Sequence, residues 1–306
     1  MTVWQVERLG RRGDGVALSD GQRALAPLTL PGEVIEGEAV EGRIAQPRIV
    51  TPSPDRVRAP CTHYRACGGC SLMHASDGFV TAWKAQVVET ALAAQGIAAR
   101  VAAIHVSAPR TRRRAVLSAR RTKKGALVGF HARASDVIVD LADCHVVTPA
   151  IMAALADLRQ LTILAASRSG ELSIAVTDTP DGLDLAVRGA KPATGQLLAE
   201  LAGLADRADW ARLDVDGETL TRRPPALPMG RARVVPPPGA FLQATAHGEA
   251  ALLSGVRAAV GDAARIADLY AGAGTFALPL AERAEVHAVE GLAAPLSALD
   301  AGWRSA

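Results

Sequence analysis

The sequence predicts a multidomain fold that combines a small β-barrel, an α+β central domain and the first part of a doubly wound α/β domain. Three observations predict it. Short strand-like runs separated by Gly and Pro breaks fill residues 1–50, as in small barrels. Strand-like and turn-like segments alternate over residues 101–190 around one helical stretch. Residues 265–290 have the pattern of a strand, a glycine turn, a helix and a second strand.

Composition places the chain among globular proteins. Its 306 residues correspond to two or three domains, and 49% hydrophobic residues with only 21% charged residues exclude a disordered chain. No run of about 18 apolar residues occurs, and the N-terminus lacks the apolar core of a signal peptide. We therefore expect a cytoplasmic protein without a membrane partner.

The N-terminal module, residues 1–50, is predicted to be a barrel of the oligonucleotide-binding type. Its strand-like runs cover residues 3–9, 15–18, 23–26 and 34–44. The breaks between them contain Gly-Asp-Gly and Pro-Gly. A β-domain that binds no ligand remains the alternative. Two Pro-containing stretches then mark residues 51–75 as a linker that contains a cysteine loop.

Four cysteines indicate a metal site. Cys61, Cys67 and Cys70 share one loop, and Cys144 is remote. In a reducing compartment, clustered thiols more often bind metal than form disulfides. Four thiolates suit either tetrahedral zinc or an iron–sulfur cluster. Three ligands in one loop, with two glycines that let the backbone wrap tightly, favour the iron–sulfur cluster. Zinc and four unrelated buried thiols remain alternatives.

The central region, residues 76–238, has predicted helices at 76–95 and near 150–164. Its strongest feature is a basic run without any Asp or Glu, which contains Arg110, Arg112, Arg113, Arg114, Arg120, Arg121, Lys123, Lys124 and Arg133. Alternating apolar residues and a Lys-Gly turn predict a basic hairpin there, which would bind phosphates in a salt-dependent way. The predicted nucleic-acid contacts are Arg112, Arg113, Arg114, Arg120, Arg121, Lys123 and Lys124. A solvated charged face is the alternative.

The last region, residues 239–306, begins a doubly wound domain. Gly272 and Gly274 form the turn between a strand and a helix, Asp268 ends the first strand and Glu290 ends the second. Such an acid can accept hydrogen bonds from both hydroxyls of a ribose. The glycines also fit a dinucleotide fingerprint, but Asp268 would crowd a pyrophosphate and suits a ligand with an amino group and a sulfonium. The pattern therefore favours S-adenosylmethionine over a nicotinamide cofactor.

Taken in order, these motifs resemble the RNA (uracil-5-)-methyltransferases, most of all the iron–sulfur branch that modifies 23S ribosomal RNA. The resemblance rests on Cys-x5-Cys-Gly-Gly-Cys with a distant cysteine and on the basic middle domain. It rests also on Gly-Ala-Phe-Leu-Gln, ending at Gln243, and on Asp-Leu-Tyr-x-Gly-x-Gly, from Asp268 to Gly274. It implies a TRAM barrel at residues 1–50, a ribosomal RNA partner and no DNA partner.

The resemblance also implies roles for individual residues. It implies a 4Fe–4S cluster held by Cys61, Cys67, Cys70 and Cys144, and S-adenosylmethionine contacts at Gln243, Tyr270 and Glu290. With the glycine turn included, the predicted cofactor-binding residues are Gln243, Asp268, Tyr270, Gly272, Gly274, Thr275 and Glu290. Two asparagines of the family are replaced here, one by Thr275 and the other by Thr245.

Catalysis is the point at which the chain departs from the family. The family continues with an Asp-Pro-Pro motif, a nucleophilic cysteine in Ser-Cys-Asn-Pro and a late glutamate base, all of which would lie beyond residue 306. We therefore expect an incomplete, C-terminally truncated methyltransferase domain at 239–306 and no catalytic residue within the chain. Because every cysteine is assigned to the cluster, we expect no methylation by this chain alone. The alternative is a non-catalytic RNA-binding iron–sulfur protein.

Overall fold

Five antiparallel strands make up the N-terminal sheet of the computed structural model, which describes residues 1–306. In chain order they are β1 (Thr2–Leu9), β2 (Gly15–Ser19), β3 (Gln22–Ala26), β4 (Val34–Gly37) and β5 (Arg48–Thr51). Their spatial order is β3-β2-β1-β4-β5. Trp4, Val6 and Ile35 lie in its buried core, and the Trp4 indole N–H donates to the Gly37 carbonyl at 3.0 Å.

The end of this sheet differs from the sequence prediction. The strand predicted at 34–44 ends at Gly37, and the chain then turns through Glu41 and Gly42, which both have positive φ. The turn returns Ile44 to the sheet, where its N–H donates to the Leu25 carbonyl at 2.9 Å. Strand β5 is not predicted, because no apolar side chain in it is fully buried and its sequence pattern is weak.

A buried ion pair anchors the linker to this sheet. Glu33 is fully buried and accepts hydrogen bonds from the N–H groups of Leu30 and Ser53 and from the Arg56 guanidinium. Burial by itself would raise the pKa of the Glu33 carboxyl, but these donors together hold that pKa below its usual value. The start of the linker is therefore anchored to the N-terminal sheet through Ser53 and Arg56.

Helix α1 (Asp77–Ala93) confirms the helix predicted at 76–95. Ser76 is its N-cap, with a hydroxyl that accepts the Phe79 N–H at 3.2 Å. The Ser76 hydroxyl also donates to the Asp55 carboxylate at 2.8 Å, which ties the start of the helix to the linker.

The chain divides into two units, Met1–Val106 and Ser107–Ala306. The first contains the N-terminal sheet, the linker and α1, and the second contains everything that follows. The division falls inside residues 76–238, which the sequence predicts as one central domain. None of the helices combines the length and apolar character that crossing a membrane requires.

Seven strands form the central sheet of the second unit. In chain order they are β6 (Arg114–Thr122), β7 (Gly125–His131), β8 (Ile138–Asp140), β9 (Glu171–Thr179), β10 (Gly182–Arg188), β11 (Arg212–Val215) and β12 (Glu218–Thr221). Their order is β12-β11-β10-β9-β6-β7-β8, and β10 and β11 are its one parallel pair. Strands β6 and β7 form the predicted basic hairpin, which ends at the Thr122–Gly125 pair.

Three helices contribute to the core beside this sheet. They are α2 (Pro149–Ala153), α3 (Leu155–Ala165) and α4 (Gly195–Arg207). Leu158 and Leu161 of α3 are fully buried in one cluster with Leu117 of β6. The single helix predicted near 150–164 is thus two helices, which meet at Ala154.

The remaining elements hold the predicted strand–turn–helix–strand unit. They are β13 (Leu227–Met229), β14 (Ala232–Val234), α5 (Ala246–Val260), β15 (Arg265–Leu269), α6 (Ala277–Ala281), β16 (Glu285–Val289) and α7 (Ala293–Arg304). Strands β15 and β16 are parallel neighbours, and α6 lies between them in the chain. Strands β13 and β14 form an antiparallel hairpin whose apolar side chains share a buried cluster with Leu242, Ala273 and Leu278.

The buried ion pair between Arg212 and Asp184 gives a test of this fold. The side chains are 7% and 8% exposed, with 2.7 Å between Arg212 Nη2 and Asp184 Oδ2. We expect Arg212→Ala to lower the free energy of unfolding by about 3–5 kcal/mol, because the Asp184 charge then stays buried without a partner. Denaturant unfolding followed by circular dichroism measures the loss. The matched control is Arg304→Ala, which removes an exposed pair with Asp300 and should change little. A loss below about 1 kcal/mol would contradict this account of the pair.

Candidate functional site

The turn between β15 and α6 has a backbone that glycine adopts readily and other residues avoid. Gly272 has φ +57° and Gly274 has φ +103°. Tyr270 is also left-handed, at φ +62°, a strained conformation of the kind that clusters at functional sites. The Gly274 N–H donates to the Ala271 carbonyl at 3.0 Å and closes the turn. A methyl group built on Gly272 would meet no atom within 4 Å, so open space lies beside the turn.

Glu290 joins this turn to the end of the second strand. Its carboxylate accepts the Gly272 N–H at 2.9 Å through Oε2 and the Leu292 N–H at 2.9 Å through Oε1. The backbone N–H groups of Leu292 and Gly272 hold the pKa of the Glu290 carboxyl below its usual value. Glu290 is therefore ionised at neutral pH, and its carboxylate oxygens can each accept more than one hydrogen bond.

Asp268 lies on the neighbouring strand, opposite Ala288 in the parallel register. Its Oδ2 is buried and has no hydrogen-bond partner. Burial raises the pKa of the Asp268 carboxyl, and a bond from the Ala277 N–H opposes that rise. An acceptor in this condition is costly unless a donor reaches it, so Asp268 fits a ligand that brings a donor group to the turn.

The other predicted cofactor contacts differ in their exposure to solvent. The Tyr270 side chain is 91% exposed, so its ring is accessible to a ligand. Thr275, at the end of the turn, and Gln243 are both half-buried. Gln243 is linked to the turn through its neighbour, because Leu242 is buried in one cluster with Ala273. The structure thus gathers the turn, Asp268 and Glu290 at one sheet edge, with the Gln243 segment packed against the turn.

The predicted metal ligands are not arranged as a metal site. No group of three or more His, Cys, Asp or Glu side chains in the structure is placed to hold a metal ion. Cys61, Cys67 and Cys70 belong to the first unit, whereas Cys144 lies in the hydrophobic core of the second, 7% exposed. Closeness in the sequence does not by itself point the sulfur atoms at a common centre. One feature suits a thiolate: the Gly69 N–H donates to Cys67 Sγ at 3.4 Å.

The basic run is less uniform than the sequence predicts. Acidic residues distant in the chain pair with three of its members. Arg113 pairs with Glu249 at 2.6 Å, Arg120 with Glu171 at 2.7 Å, and Arg110 with Asp143 at 3.1 Å. The expectation that no acid opposes these cations is therefore wrong, since the opposing carboxylates come from other elements.

The remaining predicted contacts separate by exposure. Arg114 is half-buried, its Nη2 donates to the Gly239 carbonyl at 3.4 Å, and burial with the nearby Arg112 charge lowers the pKa of its guanidinium. The cations of the run that stay exposed are Arg112, Arg121, Lys123 and Lys124. They lie at the start of strand β6 and around the hairpin turn. This exposed set is the candidate nucleic-acid face.

Comparisons with known proteins give the chain its family. No protein-family model matches it. An uncharacterized RNA methyltransferase of Brucella suis is 43% identical over 301 residues, which cover 98% of this chain and 72% of the relative. The 23S rRNA (uracil(1939)-C(5))-methyltransferase RlmD of Halomonas elongata is 34% identical, over 96% of this chain and 66% of that enzyme.

A solved structure shares the fold. It is the Pyrococcus abyssi tRNA (uracil-54, C5)-methyltransferase in complex with S-adenosyl-L-homocysteine, with a TM-score of 0.75 and 19% sequence identity. The match covers 99% of this chain and 76% of that one. The multidomain, sheet-rich architecture is therefore shared, and the chain belongs to the RNA methyltransferase family.

The two glycines of the turn give a matched pair of variants. A methyl group on Gly274 would lie 2.6 Å from Leu278 Cδ1 and 3.1 Å from Leu299 Cγ, whereas one on Gly272 meets open space. We expect Gly272→Ala to cost about 1–2 kcal/mol of stability, which is the penalty for the left-handed backbone alone. Gly274→Ala should cost clearly more, because overcrowding of the buried cluster adds about 1–3 kcal/mol.

Thermal unfolding of the two glycine variants beside the wild type measures the difference. Equal losses of stability in Gly272→Ala and Gly274→Ala would contradict this prediction, because they would mean that Leu278 and Leu299 move aside without cost.

Proposed function

We propose that this protein functions in the methylation of carbon 5 of a uridine in ribosomal RNA, with S-adenosylmethionine as the methyl donor. The observation that carries the proposal is the pair of carboxylates, Asp268 and Glu290, at the carboxyl ends of two parallel strands around a left-handed glycine turn. This pair occurs in a member of the RNA methyltransferase family. The 34% identity to an enzyme named for uracil C5 of 23S rRNA supports the choice of base and of RNA.

The residues at the turn suit this cofactor. The Glu290 carboxylate is held by backbone donors and can accept a further hydrogen bond from a ribose hydroxyl, which its negative charge strengthens. The buried Asp268 Oδ2 suits a donor such as an amino group. Tyr270 offers an exposed ring for contact with a flat base. When bound, S-adenosylmethionine supplies a methyl group on a positively charged sulfur, where a nucleophilic carbon can attack it.

The exposed cations of the hairpin are proposed to contact the RNA backbone. Arg112, Arg121, Lys123 and Lys124 carry four positive charges on one segment, none of them in an ion pair. Phosphate contacts by such residues position an RNA without reading its sequence. The N-terminal sheet, residues 1–50, is proposed as a TRAM-type module that adds to this binding. Arg113, Arg114 and Arg120 are left out of the contact set because the protein itself engages them.

Ribosomal RNA is preferred to transfer RNA as the substrate class. The relative named for ribosomal RNA is 34% identical to this chain, whereas the structural neighbour named for transfer RNA is 19% identical and supports the fold alone. Membership of an enzyme family also favours methylation over the alternative of a non-catalytic RNA-binding protein.

A 4Fe–4S cluster held by Cys61, Cys67, Cys70 and Cys144 is kept as part of the proposal. No group of three or more His, Cys, Asp or Glu side chains is placed to hold a metal ion, so no step of the reaction is derived through the cluster. Metal sites of this kind often form only together with their metal. The N–H bond to the Cys67 sulfur favours a thiolate there.

Iron content tests the cluster. Protein purified without oxygen should be brown, absorb at about 400 nm and carry about four iron atoms per chain. Cys67→Ser should lose the iron, while Ser71→Ala, in the same loop, should keep it. Colourless protein that contains stoichiometric zinc would replace the cluster with a zinc site. Protein free of both metals would remove the metal site from the proposal.

The modified base itself tests the function. Deleting the gene in the source organism should remove one 5-methyluridine from 23S ribosomal RNA, measured by mass spectrometry of nuclease fragments. A wild-type copy should restore it. Glu290→Ala should fail to do so, because it removes the acceptor for the cofactor and the bond to Gly272. Glu285→Ala, exposed at the start of the same strand, is the matched control and should restore it.

Two results would contradict the proposal. If 5-methyluridine disappears from transfer RNA and stays in ribosomal RNA, the substrate class is wrong. If neither RNA changes its 5-methyluridine content, the assignment to uracil C5 is wrong.

A further inference from the structure

We infer that Arg113 is a positioning residue for the cofactor site and not an RNA contact. It holds the segment that carries Gln243 in place against the start of strand β6. This inference rests on the proposed function, because it assigns Arg113 a part in binding the same cofactor. It separates Arg113 from its neighbour Arg112, which stays on the RNA face.

Arg113 makes three separate hydrogen bonds to one segment. Its backbone N–H donates to the Ala244 carbonyl at 2.9 Å. Its Nε donates to the Gln243 carbonyl at 3.2 Å, and its Nη2 donates to the Glu249 carboxylate at 2.6 Å. The planar guanidinium can span a carbonyl and a carboxylate at once, which a lysine ammonium on a flexible stem cannot reproduce. One side chain therefore fixes both the backbone at Gln243 and the first turns of helix α5.

The guanidinium of Arg113 is already committed. Its side chain is 12% exposed and that of Glu249 is 18% exposed. To reach a phosphate, Arg113 would have to leave a partly buried carboxylate without a partner, which is strongly unfavourable. The Arg112 side chain, one residue earlier, is exposed and donates to the nearby Arg114 carbonyl. Adjacent arginines in one basic run therefore do different work.

The segment held by Arg113 packs against the glycine turn. Leu242 is buried in the cluster that contains Ala273 of the turn. On the other side of Gln243, the Thr245 hydroxyl caps helix α5 by accepting the Gly248 N–H at 2.9 Å, and it also bonds to the Ser107 hydroxyl at 2.8 Å. Gln243 thus lies between the buried Leu242 and the helix cap Thr245, and Arg113 restrains the Gln243 carbonyl.

Two further arginines hold the preceding part of the same segment. Arg212 donates to the Pro236 carbonyl at 2.7 Å and Arg114 donates to the Gly239 carbonyl at 3.4 Å. Arg114 and Arg212 lie in strands of the central sheet, and Arg113 directly precedes strand β6. All three bond to carbonyls that precede helix α5. Arg113 is the one that reaches Gln243 itself, so the cofactor effect is expected to be largest there.

Binding of S-adenosylmethionine to the full chain, measured by isothermal titration calorimetry, tests the inference. Arg113→Ala should weaken the affinity by roughly tenfold or more, equivalent to 1.4 kcal/mol per tenfold. Arg113→Lys should fall between, because it keeps a charge for Glu249 and loses the Nε bond. Arg112→Ala should leave this affinity unchanged. These three variants are to be compared at matched folding, checked by circular dichroism.

The salt dependence of RNA affinity distinguishes a residue that contacts RNA from one that only positions the cofactor segment. The slope of log affinity against log salt for a ribosomal RNA fragment should fall by roughly 0.7 in Arg112→Ala, which is the value for one phosphate contact on a single strand. It should stay unchanged in Arg113→Ala, which removes the charge at this position. The inference is overturned if Arg113→Ala lowers this slope as much as Arg112→Ala does while the cofactor affinity is retained, since that result makes Arg113 an RNA contact.

Amide hydrogen exchange separates the failure of this inference from failure of the proposed function. If the wild-type chain binds no S-adenosylmethionine, the cofactor assignment fails. The claim that the Arg113 hydrogen bonds restrain residues 242–249, called here the tether, is then tested by amide hydrogen exchange alone. The amides of residues 242–249 should exchange faster in Arg113→Lys and in Glu249→Gln than in Arg112→Ala. Equal exchange in all of these variants would overturn the tether. If Arg113→Ala does not fold, Arg113→Lys and Glu249→Gln carry the test.

Discussion

The bond between the Gly272 N–H and the Glu290 carboxylate is the constraint on which the site depends. It joins a left-handed turn after the first strand to the last residue of the second strand, so the two ends of the β-α-β unit share one geometry. Because the carboxylate is held by two backbone donors, it stays charged and oriented before any ligand arrives. Strain at Tyr270 and the unpartnered oxygen of Asp268 lie on the same edge.

The distribution of arginine partners changes how the basic run is understood. A dense set of cations in the sequence looks like one surface for phosphates. In the folded chain, Arg113, Arg114 and Arg120 are structural donors to carbonyls or carboxylates, and the exposed cations are fewer. One short stretch of chain thus presents the Arg112 charge to solvent and, through Arg113, holds the segment that carries Gln243. The exposed Arg112 and the Arg113 that donates to the Gln243 carbonyl are therefore neighbours just before strand β6.

The cysteines show the limit of a spacing argument in another way. The spacing of Cys61, Cys67 and Cys70 predicts a metal site, but no group of three or more potential metal ligands is placed to hold a metal ion. Cys144 is packed among apolar side chains of the second unit, where a free thiol behaves as a small hydrophobe.

The sequence by itself determined the local features of this protein. Helix α1 with its Ser76 cap, the basic hairpin and the strand–turn–helix–strand unit follow from patterns within a few residues, because their hydrogen bonds connect near neighbours. The motifs of the turn and the strand-end acids also placed Asp268 and Glu290 at one edge, since parallel strands end together.

Only the tertiary structure decided the partners of those features. Arg113 and Glu249 are 136 residues apart in the chain, and Arg120 and Glu171 are 51 apart. No local pattern encodes such pairs, because they form only when separate elements pack. The same holds for strand β5, whose side chains are too exposed to leave an apolar pattern, and for the burial of Cys144. Residue types set the available chemistry, and packing across the chain set which groups were free to use it.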